Sequence, residues 1–579
     1  MPRTHYGGRV LGRPRLARWW PLLWSTALAA LLLGPGLGLG YVVRNDMVWV
    51  PDLALRPDFF GLGTGLPRAV PSDAVVAALD LVLPGMLLQK AALLGALVAS
   101  GSGAARLLPE GWLAAQTVVA TLAVWNPFVV ERLLIGHWPV LLGYAVLPWV
   151  VLASRAWRAN GRLPAVLPLL LVVGSLSAGA GIVTGLLLLA LVASRGSVRR
   201  SAVAVALVAA ANAPWLVSGL LHAPAARSDA AGAAVFALGD PGSLPGPVAA
   251  LALGGIWNDE VVPSSQEGVL GWAFVAMVVL LAGFGARTWW RHAERRERTA
   301  LAGCWVLGYG LAVLTWAFPD AVGTLAETLP GGGLLRDGAR WLVLCAPLTL
   351  TLAGHGAAAL FRMLADAPVP RVTAALVLAV LPVTLMPDAA LGVGGRVEAR
   401  DYPAAYAEAR AALVGDGAPG DVLLLPLSAY RQPAWAGGTK MLDPAGRYLP
   451  RDYVASDELV VSGRVVAGED PRVVEAAAAL AAGSPEARAE ALAGLGIGWV
   501  ATTAPGGPDV AGRALVDATG LRLVRIESAS APPPAPPPAP GSWIAAMVLA
   551  WLAFAGVLAL GPSVAVRRVR RGAQEVSAR

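Results

Sequence analysis

Apolar runs of about 20 residues recur along the chain, and each is long enough to cross a bilayer as a helix. No soluble core requires such runs to repeat. Of 579 residues 56% are apolar and only 14% charged, against about 25% charged in an ordinary soluble domain. A single soluble domain, a disordered chain and a disulfide scaffold are therefore excluded. The two cysteines, Cys304 and Cys345, both fall inside apolar runs, where they imply neither a disulfide nor a compartment. The 67 glycines and 46 prolines are compatible with membrane helices.

Twelve spans are expected, at 19–43, 84–104, 112–128, 138–154, 164–178, 181–194, 201–221, 269–287, 300–318, 341–361, 372–388 and 543–564. The first follows Arg3, Arg9, Arg13, Arg15 and Arg18 but is too long for a signal peptide. The short pair 164–178 and 181–194 shares the hinge Ser177-Ala178-Gly179-Ala180-Gly181. Broken helices with glycine at the break often line a cavity; a tilted hairpin is the simpler alternative. Only Lys90 and Lys440 are lysines, and the arginines cluster in short runs such as Arg155/Arg158/Arg162 and Arg291/Arg295/Arg296/Arg298. The net charge of +8 is therefore read as topology, with both termini cytoplasmic, and not as nucleic-acid binding.

Three regions follow. Residues 1–388 form a membrane region of about eleven spans with outer loops 44–83 and 222–268. Residues 389–541 have the length of an independent extracytoplasmic domain. Strands expected at 422–425, 499–502 and 521–524, with helices near 402–414, 471–482 and 485–495, make it a small α/β domain. It ends in the proline-rich run 531–538, and 542–579 supply the last span and a basic tail. The segment 73–83 is read as an interfacial helix.

No phosphate-binding loop, G-x-S-x-G elbow or H-E-x-x-H motif is present, and the five histidines lack metal-ligand spacing. The glycine-rich 61–65 is a loop. The chemistry therefore rests on polar groups at the outer membrane face. Asp46 closely follows the first span, where low dielectric should raise its pKa and suit it to act as a base. Asp52 lies farther along the same loop. Glu131, Arg132 and His137 mark the turn between the third and fourth spans; Arg132 is expected on a phosphate, and Glu131 on Arg132 or an acceptor hydroxyl. Trp257, Asn258, Asp259 and Glu260 combine an indole with amide and carboxylate groups, a combination suited to a sugar. Arg336 and Arg340, outer arginines one helical turn apart, are expected to face one side and bind phosphate. Lys90 near the outer end of the second span is a further phosphate candidate. No metal ligands are assigned.

The segment Asn126–Trp138 resembles the N-P-F-x-x-E-R-L-x-x-G-x-W run of actinobacterial cell-envelope members of the GT-C superfamily of integral membrane glycosyltransferases. The layout is similar as well: an acid soon after the first span, an interfacial helix, many further spans and a late outer domain. The resemblance implies a polytopic α-helical GT-C-like membrane protein with a small extracytoplasmic α/β domain. It implies a polyprenyl-phosphate-linked sugar donor, a cell-envelope glycan or lipid acceptor, and Asp46 as the base of an inverting transfer. Asn45-Asp46 stands where many relatives carry an acid pair, which leaves a divalent cation, Mg or Mn, open. A catalytically silent glycan-binding or scaffold protein and a lipid-linked sugar transporter are the alternatives. If the chain is an enzyme, Asp46 and the outer arginines should share one cavity that includes residues of loop 222–268.

Overall fold

The structure, a computed structural model, describes residues 15–63, 66–67, 69–224, 231–328, 332–461, 464–466, 468, 470–527 and 539–577. The proline-rich run 531–538, Arg68, Arg227, Gly331 and the arginines before residue 14 lie outside them.

Among the described residues nine helices are long and apolar enough to cross a membrane. The pair Gly338–Leu344 and Ala346–Met363 is apolar and long enough only when taken together and is bent by 52° at its break, the form of a broken span or a re-entrant loop. The chain is a multi-pass membrane protein. The expected count of twelve included 164–178 and 181–194, which form helices Leu167–Gly174 and Ala178–Val192, only 8 and 15 residues long. The chain breaks between them where Ser177 turns extended and accepts a hydrogen bond from the Ala180 N–H, capping the second helix.

Leu113–Val124 is deeply enclosed, with ten of its twelve residues buried. Its Thr117 and Thr121 hydroxyls each accept an indole N–H, from Trp20 and Trp24, at 2.9 Å. Both pairs sit four residues apart, so one face of the first helix matches one face of this one. The helix stops at Trp125. Asn126 then turns extended, accepts the Val129 N–H at 3.1 Å and opens Pro127–Leu134 with proline in its first turn.

The strands are β1 Tyr41–Val42, β2 Ala399–Arg400, β3 Asp421–Leu425, β4 Tyr430–Arg431, β5 Met441–Leu442, β6 Tyr453–Val454, β7 Leu459–Val461, β8 Arg464–Val466, β9 Ile497–Thr502, β10 Gly512–Ala518 and β11 Leu521–Ile526. Five of them form one sheet in the order β10-β11-β9-β3-β6, with β3 parallel to β6 and β9 and the rest antiparallel. Helices Ala404–Gly415, Pro471–Leu480 and Pro485–Gly494 pack around it.

The first loop and this sheet domain form one packed unit. β1 pairs antiparallel with β2, the Tyr402 hydroxyl donates to the Trp49 carbonyl, and Arg410 donates to the Pro51 carbonyl. Arg56 is the strongest tie. It is 4% exposed, donates to the carbonyls of Gly446, Leu449 and Arg451, and pairs with Asp58 at 2.8 Å. Its guanidinium lies between the rings of Phe59 and Tyr453.

Candidate functional site

The site begins at a tight turn, Arg44–Met47, in which the Arg44 and Met47 backbones bond each other. Asn45 at its corner has a positive φ of 45° and is 3% exposed. Its amide side chain donates to the Leu134 carbonyl, and its backbone bonds Lys440 and Leu442. The Asp46 N–H donates to the Ile135 carbonyl. The turn is thus clamped between the end of helix Pro127–Leu134 and β5. Gly136, with a φ of +88°, permits the approach, since a Cβ there would lie 2.1 Å from the Met47 nitrogen.

Clamped in this way, Asp46 projects a half-buried carboxylate, its side chain 35% exposed. The Tyr430 hydroxyl donates to Oδ1 at 2.6 Å, and His137 Nε2 lies 3.1 Å from Oδ2. The other histidine nitrogen, Nδ1, lies 3.0 Å from Arg132 Nη1. A guanidinium only donates, so Nδ1 accepts and the histidine proton sits on Nε2, where it donates to Asp46. Arg132 is fully buried and holds Asp337 bidentately at 3.0 and 3.1 Å. Arg340 completes the line, 3.2 Å from Asp337. Tyr430, Asp46, His137, Arg132, Asp337 and Arg340 form one continuous relay.

Electrostatics along the relay differ from the expectation for Asp46. Burial works to raise its pKa, but the hydrogen bonds of His137 and Tyr430 and the charge of Arg447 overcome it and hold the carboxyl below the ordinary value. Burial likewise opposes the charge on Asp337, and Arg132 with Arg340 outweighs it, leaving that carboxyl well below the usual carboxylate range.

The other candidates divide. Arg132 does not present its fork to a phosphate, because Asp337 and His137 occupy it. Glu131, 1% exposed, reaches neither Arg132 nor solvent and instead accepts the Gly255 N–H at 3.2 Å, pinning loop 222–268 to the helix. Arg336 and Arg340 do not share a helical face: Gly332–Leu335 and Gly338–Leu344 are separate 3₁₀ turns. Arg336 lies over the Phe236 ring at 4.9 Å, and that ring meets Trp257 edge-on at 4.6 Å. Arg340 instead runs along the first turn of helix Ala178–Val192, where a Cβ on Gly179 would meet its Cδ at 2.6 Å. Asn258 caps its own turn by accepting the Glu260 N–H, and Asp259 is exposed. Glu260 pairs with Lys440 at 3.0 Å, and that ammonium lies 5.5 Å from the Tyr430 ring. Asp52 is exposed and outside the relay. Lys90 lies 3.5 Å from the Gln89 amide oxygen, and Gln89 itself bonds both backbone groups of Val42.

Asp46 and Arg340 are therefore joined through side chains, not across the shared cavity that was expected. A cavity of ≈ 250 Å³ does lie nearby, but neither Asp46 nor any residue of loop 222–268 lines it. The residues around Asp46 do not fit a divalent cation: both of its oxygens accept protein donors, and the adjacent Asn45 amide is turned to Leu134. Among the described residues no group of three or more His, Cys, Asp or Glu could hold a metal ion. Tyr430 and Asp337 were not singled out from sequence. Asp337 carried a readable signal, an acid between two arginines just ahead of an apolar run, whereas Tyr430 lies 384 residues from its partner.

With this geometry in place, similarity to known proteins becomes informative. No family model and no curated protein matches the chain. Among solved structures, the arabinofuranosyltransferase AftD from Mycobacteria superposes over 90% of this chain with a TM-score of 0.53 at 15% identity. A mutant of AftD superposes over 88% with the same score at 17% identity. The chain shares the fold of the matched part of AftD. It spans only 40% of the length of AftD. The archaeal oligosaccharyltransferase AglB from Archaeoglobus fulgidus is a more distant match, with a TM-score of 0.33 and 12% identity over 84% of this chain and 65% of its own. Within this fold the relay occupies the junction of the first loop, the turn 135–137 and the sheet domain.

Proposed function

We propose that this protein is a membrane glycosyltransferase that moves a sugar from a polyprenyl-phosphate donor to a cell-envelope glycan or lipid acceptor on the extracytoplasmic face. The observation that carries this reading is the Asp46 carboxylate, fixed by His137 and Tyr430 in a chain that shares the fold of the matched part of AftD. A carboxylate held below its ordinary pKa is ionised at neutral pH and so in the base form, although the depression makes it a weaker base than an ordinary aspartate. It takes the proton of an acceptor hydroxyl; the hydroxyl oxygen bonds the anomeric carbon from the face opposite the leaving group. The bond from that carbon to the phosphate oxygen breaks, and polyprenyl phosphate leaves with the electron pair, inverting the centre.

Arg340 is the proposed phosphate ligand. Its Nε is buried without a hydrogen-bond partner among the described residues, and its stem lies on the first turn of helix Ala178–Val192. A helix N-terminus and a guanidinium together favour an anion. A charge-assisted hydrogen bond contributes about 1.5–3 kcal/mol. Arg340→Gln should therefore raise the donor KM about 10- to 100-fold, with a smaller effect on kcat. An unchanged donor KM removes Arg340 from the donor site.

A catalytically silent glycan binder is the second reading. It is favoured by the occupation of both Asp46 oxygens and by the absence of a second acid at position 45. Incubating the purified protein in liposomes with polyprenyl-phosphate sugars and a panel of glycan acceptors separates the two. Elongated acceptor supports the transferase; donor binding with no product across the panel supports the binder.

A further inference from the structure

A second polar corner lies at the far end of the helices from the relay. Helix Trp138–Asn160 starts beside His137 and carries Arg155 and Arg158 near its end. Its 23 residues rise about 35 Å, enough to cross the hydrocarbon layer, so these arginines meet the opposite membrane face. Helix Ala178–Val192 runs the same way, from Arg340 at its first turn to Leu191. It packs against Val198–His222 and Arg295–Ala317. The opening turns of those two helices bring Arg200 and Arg296 to the same corner.

A groove of ≈ 360 Å³ runs from this corner between Ala178–Val192 and Arg295–Ala317. Arg296 and Thr299 line its end at the corner; Leu186, Ala190, Ala300, Gly303 and Leu307 make the rest apolar, and no acid lines it. The interval from Arg296 to Leu307 rises about 16 Å, roughly half the hydrocarbon thickness. We infer that the groove takes an acyl chain of an anionic phospholipid, with the lipid phosphate on Arg296 and Arg200. The site is separate from the relay and stands whether or not the chain is a transferase.

Charge decides the class of lipid. Arg155 holds Glu297 at 2.6 Å; Arg158 holds Glu294 at 2.9 Å and lies 3.6 Å from Glu297. Both acids are thereby taken. Arg158 and Arg200 stand close enough to repel the Arg296 charge, and Glu294, already paired, is the acid that offsets them. Part of Arg296 is accounted for within the fold. Its Nε donates to the Leu191 carbonyl at 2.9 Å and its Nη2 lies 3.5 Å from the Ala190 carbonyl, capping helix Ala178–Val192. Arg158 Nη1 donates to the same Leu191 carbonyl at 3.1 Å. Arg296 Nη1 and the whole Arg200 guanidinium remain without acceptors among the described residues, and Arg200 Nε is buried in that state.

Unpaired cations at the mouth of an apolar groove match an anion that carries a hydrocarbon tail. A zwitterionic lipid would bring an ammonium to an excess of arginine. A soluble anion would leave the apolar length of the groove unused. Basic pockets between membrane helices bind acidic headgroups for the same reason.

The test uses the full-length protein in lipid nanodiscs of phosphatidylcholine with a graded fraction of phosphatidylglycerol. Native mass spectrometry counts the lipids retained on the released protein. The expected result is preferential retention of phosphatidylglycerol. Two variants leave the cap of helix Ala178–Val192 intact. Arg200→Gln removes the unpaired charge and should lower the preference about fivefold. Gly303→Leu fills the groove, and its Cβ meets no atom within 4 Å, so the fold tolerates it while retention falls to the phosphatidylcholine level. Equal retention of the two lipids, indifference to Arg200→Gln, or undiminished retention in Gly303→Leu would overturn the inference. Displacement of the lipid by inorganic phosphate would also overturn it, because it marks a site for a soluble anion. Transfer activity is not read, so failure of the transferase reading leaves this result untouched.

Discussion

Asp337→Asn should destabilise the protein by about 3–5 kcal/mol, the usual consequence of leaving a buried charge without its partner. The partner is Arg132, whose side chain is 0% exposed and whose fork is bidentate on Asp337. Thermal unfolding in detergent, followed by tryptophan fluorescence, reads the loss. Arg132→Met combined with Asp337→Leu removes both charges and should recover much of it, because apolar replacement of a whole buried pair is often neutral. A single variant as stable as wild type would show that the pair is solvated. The pH dependence has a definite sign. The folded pKa of Asp337 is depressed, so its stabilisation is complete above the ordinary aspartate value of about 3.9. It is lost as pH falls through the lower folded value. Asp337→Asn abolishes this acid-range contribution.

Gly136→Ala should cost most of the transfer activity while leaving the sheet domain folded. A methyl group there would lie 2.1 Å from the Met47 nitrogen and 2.8 Å from the Arg44 carbonyl oxygen. The positive φ adds strain that a non-glycine residue tolerates poorly. The turn carrying Asp46 must move, and a shift of about 1 Å in a reacting group can reduce rate by about 10²-fold. The kcat of the purified variant measures this. Wild-type kcat would show that the close approach does not position Asp46.

The membrane spans could be read from the sequence because apolar length is a local property. Strands at 422–425, 499–502 and 521–524 fall within β3, β9 and β11 for a similar reason: short apolar runs between turn residues. The site was only partly readable. Asp46, His137 and Arg132 were flagged by their depth near the membrane face, and the structure brings them into contact. Depth does not say which side chain neutralises which. Arg132 appeared available for phosphate because its partner Asp337 is 205 residues away. Spacing misplaced Arg336 and Arg340 because a four-residue interval implies a shared face only in an α-helix, and this segment forms 3₁₀ turns. The rise expected for Asp46 counted burial but not Tyr430.

The most direct measurement is the single-turnover rate of sugar transfer by Asp46→Asn beside wild type, with thermal unfolding as the control for folding. Loss of a positioned general base should lower the rate by about 10²–10⁴-fold, while the lost charge-assisted bonds of His137 and Tyr430 lower the unfolding midpoint without unfolding the protein at the assay temperature. A variant that folds normally and transfers at the wild-type rate would contradict the assignment of Asp46 as the base.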